Sequence, residues 1–157
     1  MQESVSLKDV YPLIKEIVEA GGEFRFVSKG TSMLPMLRHN RDTIVLAKAE
    51  LPLKKYDVPF YRRKDGSFVL HRVVGFDKNG GYIMCGDNQF AKEYGITDEN
   101  IVAVLKAYIK DGKRIECSDP DYLEYVHNHC RHRAMIKYYR YFRHHVGNVL
   151  RRMGLCK

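Results

Sequence analysis

The stretch 67-SFVLHRVVGFDKNGGYIMCGD-87 decides the fold, because two runs of alternating apolar residues flank a turn signal at Asn79-Gly80-Gly81. A period of two places every second side chain on one face, which predicts β-strands over 67–76 and 81–87. Glycine and asparagine favour the reversal that joins two such strands. This stretch therefore predicts two neighbouring strands joined by a turn.

The same period of two continues on both sides of that stretch. It predicts further strands over 23–30, 42–49, 57–63, 100–110 and 113–117. Turn signals at Lys64-Asp65-Gly66 and at Asp111-Gly112 separate some of these runs. Short strands at close intervals favour a mainly β fold, a small antiparallel barrel or sandwich.

A helical period flanks the strands at both ends of the chain. Ser6 to Ala20 is predicted as a short helix that Gly21-Gly22 stops, and Pro12 is expected to confine its start to about Asp9. From about Asp121 a second helical stripe is formed by Met135, Tyr139, Phe142, Val146, Val149 and Met153. We therefore expect an N-terminal helix over 1–22 packed on the core, a β domain over 23–118 and a basic amphipathic tail over 119–157.

Composition and charge narrow the class of protein. The chain has 157 residues, 45% of them apolar and 29% charged, which is typical of one soluble globular domain. It shows no signal peptide and no transmembrane run, and its four cysteines lack paired spacing, so we expect a cytoplasmic protein with reduced thiols, with a location peripheral to the membrane as the alternative. The net charge of +8 comes from residues 126–157, which hold eight Lys and Arg and no Asp or Glu.

The tail leaves several interpretations open. His127, His129, Cys130 and His132 are metal-ligating residue types, but their spacing matches no strong zinc pattern, so no metal is predicted. Packing of the apolar stripe against its own domain is favoured, docking on an anionic membrane surface comes next, and a partner chain is a further alternative. No motif supports nucleic-acid binding.

A serine in 29-KGTSMLPML-37 is the first candidate for chemistry. Ser32 carries a hydroxyl between a glycine turn and an apolar run, and such a hydroxyl becomes a nucleophile only when a base takes its proton. The first good base downstream is His71, on the predicted strand 67–76. Each residue taken alone is more often structural than catalytic.

Taken together the motifs are more specific, because GTSMLPML, DTIVL, KKYDVPFYRR, LHRVV and CGDN follow in this order. Over residues 23–109 the chain resembles the S24/S26 superfamily of serine peptidases, which contains signal peptidases and the self-cleaving LexA-type repressors. The resemblance implies that Ser32 is the nucleophile that forms an acyl-enzyme. The segment 70-LHRV-73 is similar to the histidine-type members, such as the endoplasmic-reticulum and archaeal signal peptidases, and implies His71 as general base without any cofactor.

The resemblance also implies an acidic residue that orients the base. In 86-GDNQFAKE-93, Asp87 matches the family's GDN aspartate, and Glu93 stands near the expected position of the triad acid, where the family has aspartate. Asp87 is favoured slightly as a supporting residue and Glu93 as the acid that orients His71. Both residues stay candidates for the catalytic set.

Around the serine the chain departs from the family pattern. Gly30 occupies the position where many members have a hydroxyl oxyanion donor, so backbone N–H groups near Ser32, helped by Thr31, would form the oxyanion hole. Gly30, Thr31, Met33 and Pro35 are the expected substrate-binding residues. Two Gly-Asp turns of the family appear here as 41-RD-42 and 56-YD-57, which places tighter demands on the backbone.

Two functions are therefore expected to compete. The first is an endopeptidase core without the membrane anchor of signal peptidases or the DNA-binding domain of LexA-type repressors, acting on a peptide or protein segment. The alternative is an inactive module that retains the fold and binds a peptide or a partner, with the basic tail on a membrane surface or on that partner.

Overall fold

The computed structural model describes residues 7–132 and the helical positions 135, 138, 139, 142 and 146. Within these residues, helix α1 (Leu7–Glu19) precedes nine strands and helix α2 (Pro120–Arg131) follows them. The strands are β1 (Phe24–Val27), β2 (Thr43–Ala47), β3 (Pro59–Arg62), β4 (Phe68–Leu70), β5 (Arg72–Phe76), β6 (Tyr82–Cys85), β7 (Glu93–Ile96), β8 (Ile101–Lys110) and β9 (Lys113–Glu116). A short 3-10 helix, Asp98–Asn100, leads into β8.

The strands form two antiparallel sheets, which confirms the predicted mainly β fold of the small barrel or sandwich type. The larger sheet has the order β1-β2-β8-β3-β4, and β9 also pairs with β8. The smaller sheet has the order β5-β6-β7. With ten residues, β8 is long enough to pair with β2, β3 and β9 along its length, so it organises the larger sheet.

The predicted strand over 67–76 is wrong as a single strand, because the chain changes sheets at His71. Leu70 pairs with Phe60 of β3 in the larger sheet, whereas Arg72 pairs with Cys85 of β6 in the smaller one. Side chains keep alternating through such a corner, so the sequence pattern runs on without a break. His71 consequently lies where the two sheets meet.

Two other boundaries also differ from expectation. Strand β7 was not predicted, because its sequence EYGI lacks an apolar alternation and Gly95 has a positive φ of 75°. Helix α1 begins at Leu7, so the expectation that Pro12 sets its start at about Asp9 is wrong. Proline removes one helical hydrogen bond, and the complete burial of Ile14 and Val18 offsets that loss.

The end of α1 follows the predicted stop at the paired glycines. Gly21 has a φ of 82°, and its N–H donates to the Val18 carbonyl at 3.0 Å while the Gly22 N–H donates to the Ile17 carbonyl at 2.9 Å. These two bonds are the Schellman arrangement that satisfies the last carbonyls of a helix. Tyr11 of this helix contacts the Phe68 ring of β4, with centroids 5.1 Å apart.

A core cluster joins the two sheets. Tyr61 of β3 belongs to it from the larger sheet, and β5, β6 and β7 of the smaller sheet contribute most of the rest. Its buried members are Leu53, Tyr61, Val73, Tyr82, Met84 and Ile96. Because apolar burial is worth about 25 cal/mol per Å², this cluster is a main source of the attraction between the sheets.

The chain divides into two compact units, Met1–Leu123 and Glu124–Lys157. In the second unit, Met135, Tyr139 and Phe142 of the predicted apolar stripe are 58–64% exposed, and Val146 is 38% exposed. Val149 and Met153 lie outside the described residues. None of the helices within the described residues is long and apolar enough to cross a bilayer.

A fully buried ion pair lies within the first unit, close to the corner at His71. Arg72 donates through Nε and Nη2 to the two carboxylate oxygens of Asp87, at 2.8 and 2.7 Å, and neither side chain is exposed. Arg72 also donates to the Tyr56 carbonyl at 3.0 Å and to the Tyr122 hydroxyl at 3.1 Å. Burial alone lowers the pKa of Arg72, but Asp87 outweighs it and holds the guanidinium charged.

Replacement of one partner of this pair should strongly destabilise the fold. We expect Arg72→Met to lower the free energy of unfolding by about 3–5 kcal/mol, because it leaves the Asp87 charge buried and unpaired. The double variant Arg72→Met with Asp87→Leu should regain most of that loss. Urea unfolding followed by circular dichroism measures both effects.

The exposed pair between Lys48 and Glu19 provides the control. Its side chains are 58% and 52% exposed, so Lys48→Met should cost less than about 1 kcal/mol in the same titration. Equal losses for Arg72→Met and Lys48→Met would show that burial of the Arg72 charge does not matter.

Candidate functional site

The loop that carries Ser32 connects β1 to β2 and is closed at its base. The Ser28 N–H donates to the Asp42 carbonyl at 2.8 Å, and the Asn40 N–H donates to the Ser28 carbonyl at 2.7 Å. The buried Asp42 carboxylate accepts Arg38 Nη2 at 2.6 Å and the Arg38 backbone N–H at 2.8 Å. We call residues 28–42 the serine loop.

Burial and hydrogen bonding shift the pKa of the buried Asp42 carboxylate in opposite directions. Desolvation would raise the pKa of Asp42, but the side-chain and backbone hydrogen bonds from Arg38 lower it below its ordinary value. The carboxylate therefore stays ionised and holds the turn 38–42 at the end of the serine loop.

The segment 86-GDN-88 packs directly on the serine loop. The Asn88 N–H donates to the Ser32 carbonyl at 2.8 Å, and Asn88 Nδ2 donates to the Thr31 carbonyl at 3.1 Å. A Cβ on Gly86 would lie 2.6 Å from the Ser32 carbonyl oxygen and 3.1 Å from the Ser32 Cβ. Only glycine permits this approach, so Gly86 and Asn88 together position the backbone of Ser32.

Ser32 and His71 line the same cavity, which has a volume of about 270 Å³. Ser32 is half-buried, whereas His71 is 5% exposed. Of the expected substrate-binding residues, Gly30 and Met33 line this cavity. The other two, Thr31 and Pro35, do not line it.

A chain of polar groups lies on the Nδ1 side of His71. The Tyr61 hydroxyl oxygen is 3.3 Å from His71 Nδ1, and this hydroxyl donates to Glu93 Oε2 at 2.8 Å. Arg63 then binds Glu93 with two hydrogen bonds, from Nε to Oε1 at 2.7 Å and from Nη2 to Oε2 at 2.6 Å. The distance from Glu93 Oε2 to His71 Nδ1 is 4.0 Å, which is an ion-pair separation but not a hydrogen bond.

The charges along this chain of groups are well defined. The hydrogen bonds from Arg63 lower the pKa of Glu93 below its ordinary value, so this residue is a carboxylate at neutral pH. Burial, followed by the neighbouring Glu93 carboxylate, raises the pKa of Tyr61, so the phenol keeps its proton. The result is a neutral donor that bridges an imidazole and an anion.

The two candidate acids therefore occupy different places. Asp87 binds Arg72, the residue next to His71 in the chain. Glu93 lies on the Nδ1 side of the His71 ring, with the Tyr61 hydroxyl between the carboxylate and the ring. The sequence analysis did not identify Tyr61, although this residue lies in KKYDVPFYRR, one of the segments that carry the resemblance. Arg63 and Gln89, which also line the cavity, were not predicted either.

The turn 56-YD-57, one of the two where the sequence resemblance implied a glycine, is conformationally strained. Tyr56 has a φ of 81°, in the left-handed region that glycine adopts at little cost. Its carbonyl accepts from Arg72 and its N–H donates to the Val73 carbonyl at 2.8 Å. These bonds to the strand that follows His71 hold Tyr56 in this conformation.

An apolar groove of about 270 Å³ lies beside the cavity. It is lined mainly by aromatic and branched side chains of α1 and the larger sheet, namely Val10, Phe24, Phe26, Val27, Ile44, Phe60, Phe68 and Leu70, with Lys29. Lys29, Ile44, Phe68 and Leu70 line both the groove and the cavity, so the two adjoin. A bound chain could therefore place an apolar side chain next to Ser32.

Among the described residues, no group of three or more His, Cys, Asp or Glu side chains is arranged to hold a metal ion. His129 of the tail stacks on Tyr125 with ring centroids 5.5 Å apart, and His132 Nδ1 lies 2.9 Å from the Asn128 carbonyl oxygen.

No protein-family model, no curated protein and no solved structure matches the chain.

Gly86→Ala should distort the serine loop. Because the new methyl group meets backbone atoms of Ser32, which cannot rotate away, we expect a loss of about 1–3 kcal/mol in the free energy of unfolding. The matched control is Gly75→Ala on β5, whose methyl group would meet only Ile83 Cδ1, at 3.8 Å. This control should change stability by less than about 1 kcal/mol. Urea unfolding of both variants checks the difference, and equal losses would contradict the close approach.

The Glu93 carboxylate should contribute to stability in a pH-dependent way. Its lowered folded-state pKa means that its contribution is fully present above the ordinary glutamate value of 4.5 and is lost as the pH falls towards the folded-state value. We expect Glu93→Gln to flatten the decline of unfolding free energy below about pH 5. Chemical unfolding measured across this range tests it. The exposed-site control Glu50→Gln should keep the wild-type slope, and a wild-type slope in Glu93→Gln would refute the assignment.

Proposed function

We propose that this chain is a serine endopeptidase of the S24/S26 type, which cleaves a peptide or protein segment with Ser32 as nucleophile and His71 as general base. The observation that carries the proposal is the shared cavity of Ser32 and His71, two residues that are far apart in sequence. The ordered motifs of the sequence and the mainly β fold are consistent with it.

In the proposed reaction, His71 takes the proton of the Ser32 hydroxyl as Oγ attacks the carbonyl carbon of the scissile bond. The imidazolium then donates that proton to the leaving amine, and an acyl group remains bound to Ser32 as an ester. Water, activated by the same imidazole, hydrolyses this ester. Backbone N–H groups around Ser32 would stabilise the oxyanion, but the Gly30 N–H is committed to His39 Nδ1 at 2.8 Å.

The apolar groove supports a substrate with apolar side chains near the cleaved bond. Phe60 and Phe68 stack in this groove with centroids 5.4 Å apart, and Phe26 lies 5.9 Å from Phe60. Such a surface gains free energy by burying aliphatic or aromatic groups of a peptide. Lys29 at its edge would suit a nearby carboxylate or carbonyl.

One observation favours the alternative of a binding module without catalysis. Glu93 is 4.0 Å from His71 Nδ1 and forms two hydrogen bonds with Arg63, so this acid does not contact the base directly as a triad acid does. A module of this kind would use the same cavity and groove to hold a peptide and would leave it intact.

Acylation of Ser32 separates the two functions. We expect p-nitrophenyl acetate to transfer its acetyl group to wild-type protein, and Ser32→Ala to lose this adduct because the nucleophile is gone. Intact-mass spectrometry, with fragmentation to locate the adduct, measures both. Ser28→Ala is the matched control, since Ser28 lines the same cavity and should leave labelling unchanged.

Peptide cleavage completes the test. A peptide library rich in apolar residues, incubated with wild type and with Ser32→Ala, should yield fragments only with wild type. Labelling that survives in Ser32→Ala, or library peptides that bind wild type without being cut or acylating it, would favour the binding module.

A further inference from the structure

We propose that Tyr61 is a positioning residue that links Glu93 to His71 and fixes the imidazole with its proton on Nδ1. The inference rests on the proposed function for its catalytic meaning, but the tautomer itself can be tested without it. It assigns the orientation of the base to a residue of β3 that lies outside the serine, histidine and acid motifs of the sequence.

The direction of the hydrogen bonds follows from counting protons. A phenol has one proton, and the Glu93 carboxylate only accepts, so the 2.8 Å bond between them must use the Tyr61 proton. The Tyr61 oxygen can then only accept from its other neighbour. His71 Nδ1 lies 3.3 Å from this oxygen, so a hydrogen bond between them requires the hydrogen on Nδ1.

This tautomer suits a general base. A neutral imidazole with its proton on Nδ1 has its lone pair on Nε2, the nitrogen that would accept the Ser32 proton. When Nε2 becomes protonated, the positive charge on the ring strengthens the bond from Nδ1–H to the Tyr61 oxygen. Tyr61 keeps its own proton throughout, so the single proton in motion passes from Ser32 Oγ to Nε2 and then to the leaving amine.

The negative charge of Glu93 acts on His71 through this hydroxyl. Arg63 neutralises much of the carboxylate, and the direct separation of 4.0 Å from Nδ1 is too long for a hydrogen bond. The carboxylate polarises the Tyr61 hydroxyl, which makes the oxygen a better acceptor for Nδ1–H. Glu93 and Arg63 thus hold the tyrosine, and the tyrosine holds the base.

Tyr61 is rigid enough for this role. Its side chain is fully buried in the cluster between the two sheets, and its ring meets the His71 ring edge-on, with centroids 6.3 Å apart and an interplanar angle of 62°. Glu93, by contrast, belongs to the short edge strand β7 and is partly exposed. The orientation of His71 is therefore tied to the core.

The test is the tautomer of His71 in the full chain, measured by ¹⁵N NMR at about pH 8, where an ordinary imidazole is neutral. The His71 signals are assigned by their loss in His71→Gln. Wild type should show a protonated Nδ1 and an unprotonated Nε2. Tyr61→Phe should shift the tautomer population towards the proton on Nε2. Tyr82→Phe is the control, because Tyr82 belongs to the same cluster but binds Asp98 and the Leu53 N–H instead.

Acetylation by p-nitrophenyl acetate gives the second readout. Tyr61→Phe should slow acylation of Ser32 about 10- to 100-fold, and Tyr82→Phe should leave it unchanged. A wild-type proton on Nε2, an unaltered tautomer in Tyr61→Phe, or equal rates in the two variants would overturn the proposal. If wild type is never acylated, the proposed function fails, and the NMR result alone still decides the role of Tyr61.

Discussion

The buried ion pair between Arg72 and Asp87 is the interaction on which the rest of the site depends. Arg72 follows His71 directly, and Asp87 stands between Gly86 and Asn88, which hold the serine loop. Since neither charge can be left alone in the core, the pair fixes the corner of the chain against the GDN segment. One electrostatic constraint thereby ties the segment next to His71 to the segment that holds Ser32.

Backbone contacts convert this constraint into a position for Ser32. Gly86 lets the GDN segment approach the serine loop more closely than any side chain would allow. Asn88 donates hydrogen bonds to two successive carbonyls of that loop. The strained turn at Tyr56 supports the same ion pair, because its carbonyl accepts a hydrogen bond from Arg72. Strain of about 1–3 kcal/mol at such a residue persists only where surrounding bonds outweigh it.

The fold class and most strands could be predicted from the sequence because apolar alternation reports directly on burial. The corner at His71 could not, since alternation continues when a strand passes from one sheet to another. Strand β7 was missed for the opposite reason. Glu93 and Gly95 interrupt the apolar alternation there, and pairing with β6 makes the segment a strand. Motif order brought Ser32, His71 and Asp87 into consideration. Tyr61 lies in the quoted segment KKYDVPFYRR, but nothing in that segment marks its hydroxyl, which acquires its place only through packing between the two sheets.

The position of Tyr61 also explains how a chain with glutamate at the acid position could keep an ordered base. The Glu93 carboxylate is 4.0 Å from His71 Nδ1, so it cannot orient the ring by a hydrogen bond of its own. A tyrosine packed in the core between the sheets has little freedom, and its hydroxyl is held in addition by the Glu93 carboxylate that Arg63 binds. In this arrangement the packing of the core also orients His71, so a substitution that removes packed volume from the cluster around Tyr61 should disturb the base before it unfolds the chain, whereas Tyr82→Phe keeps the ring in place.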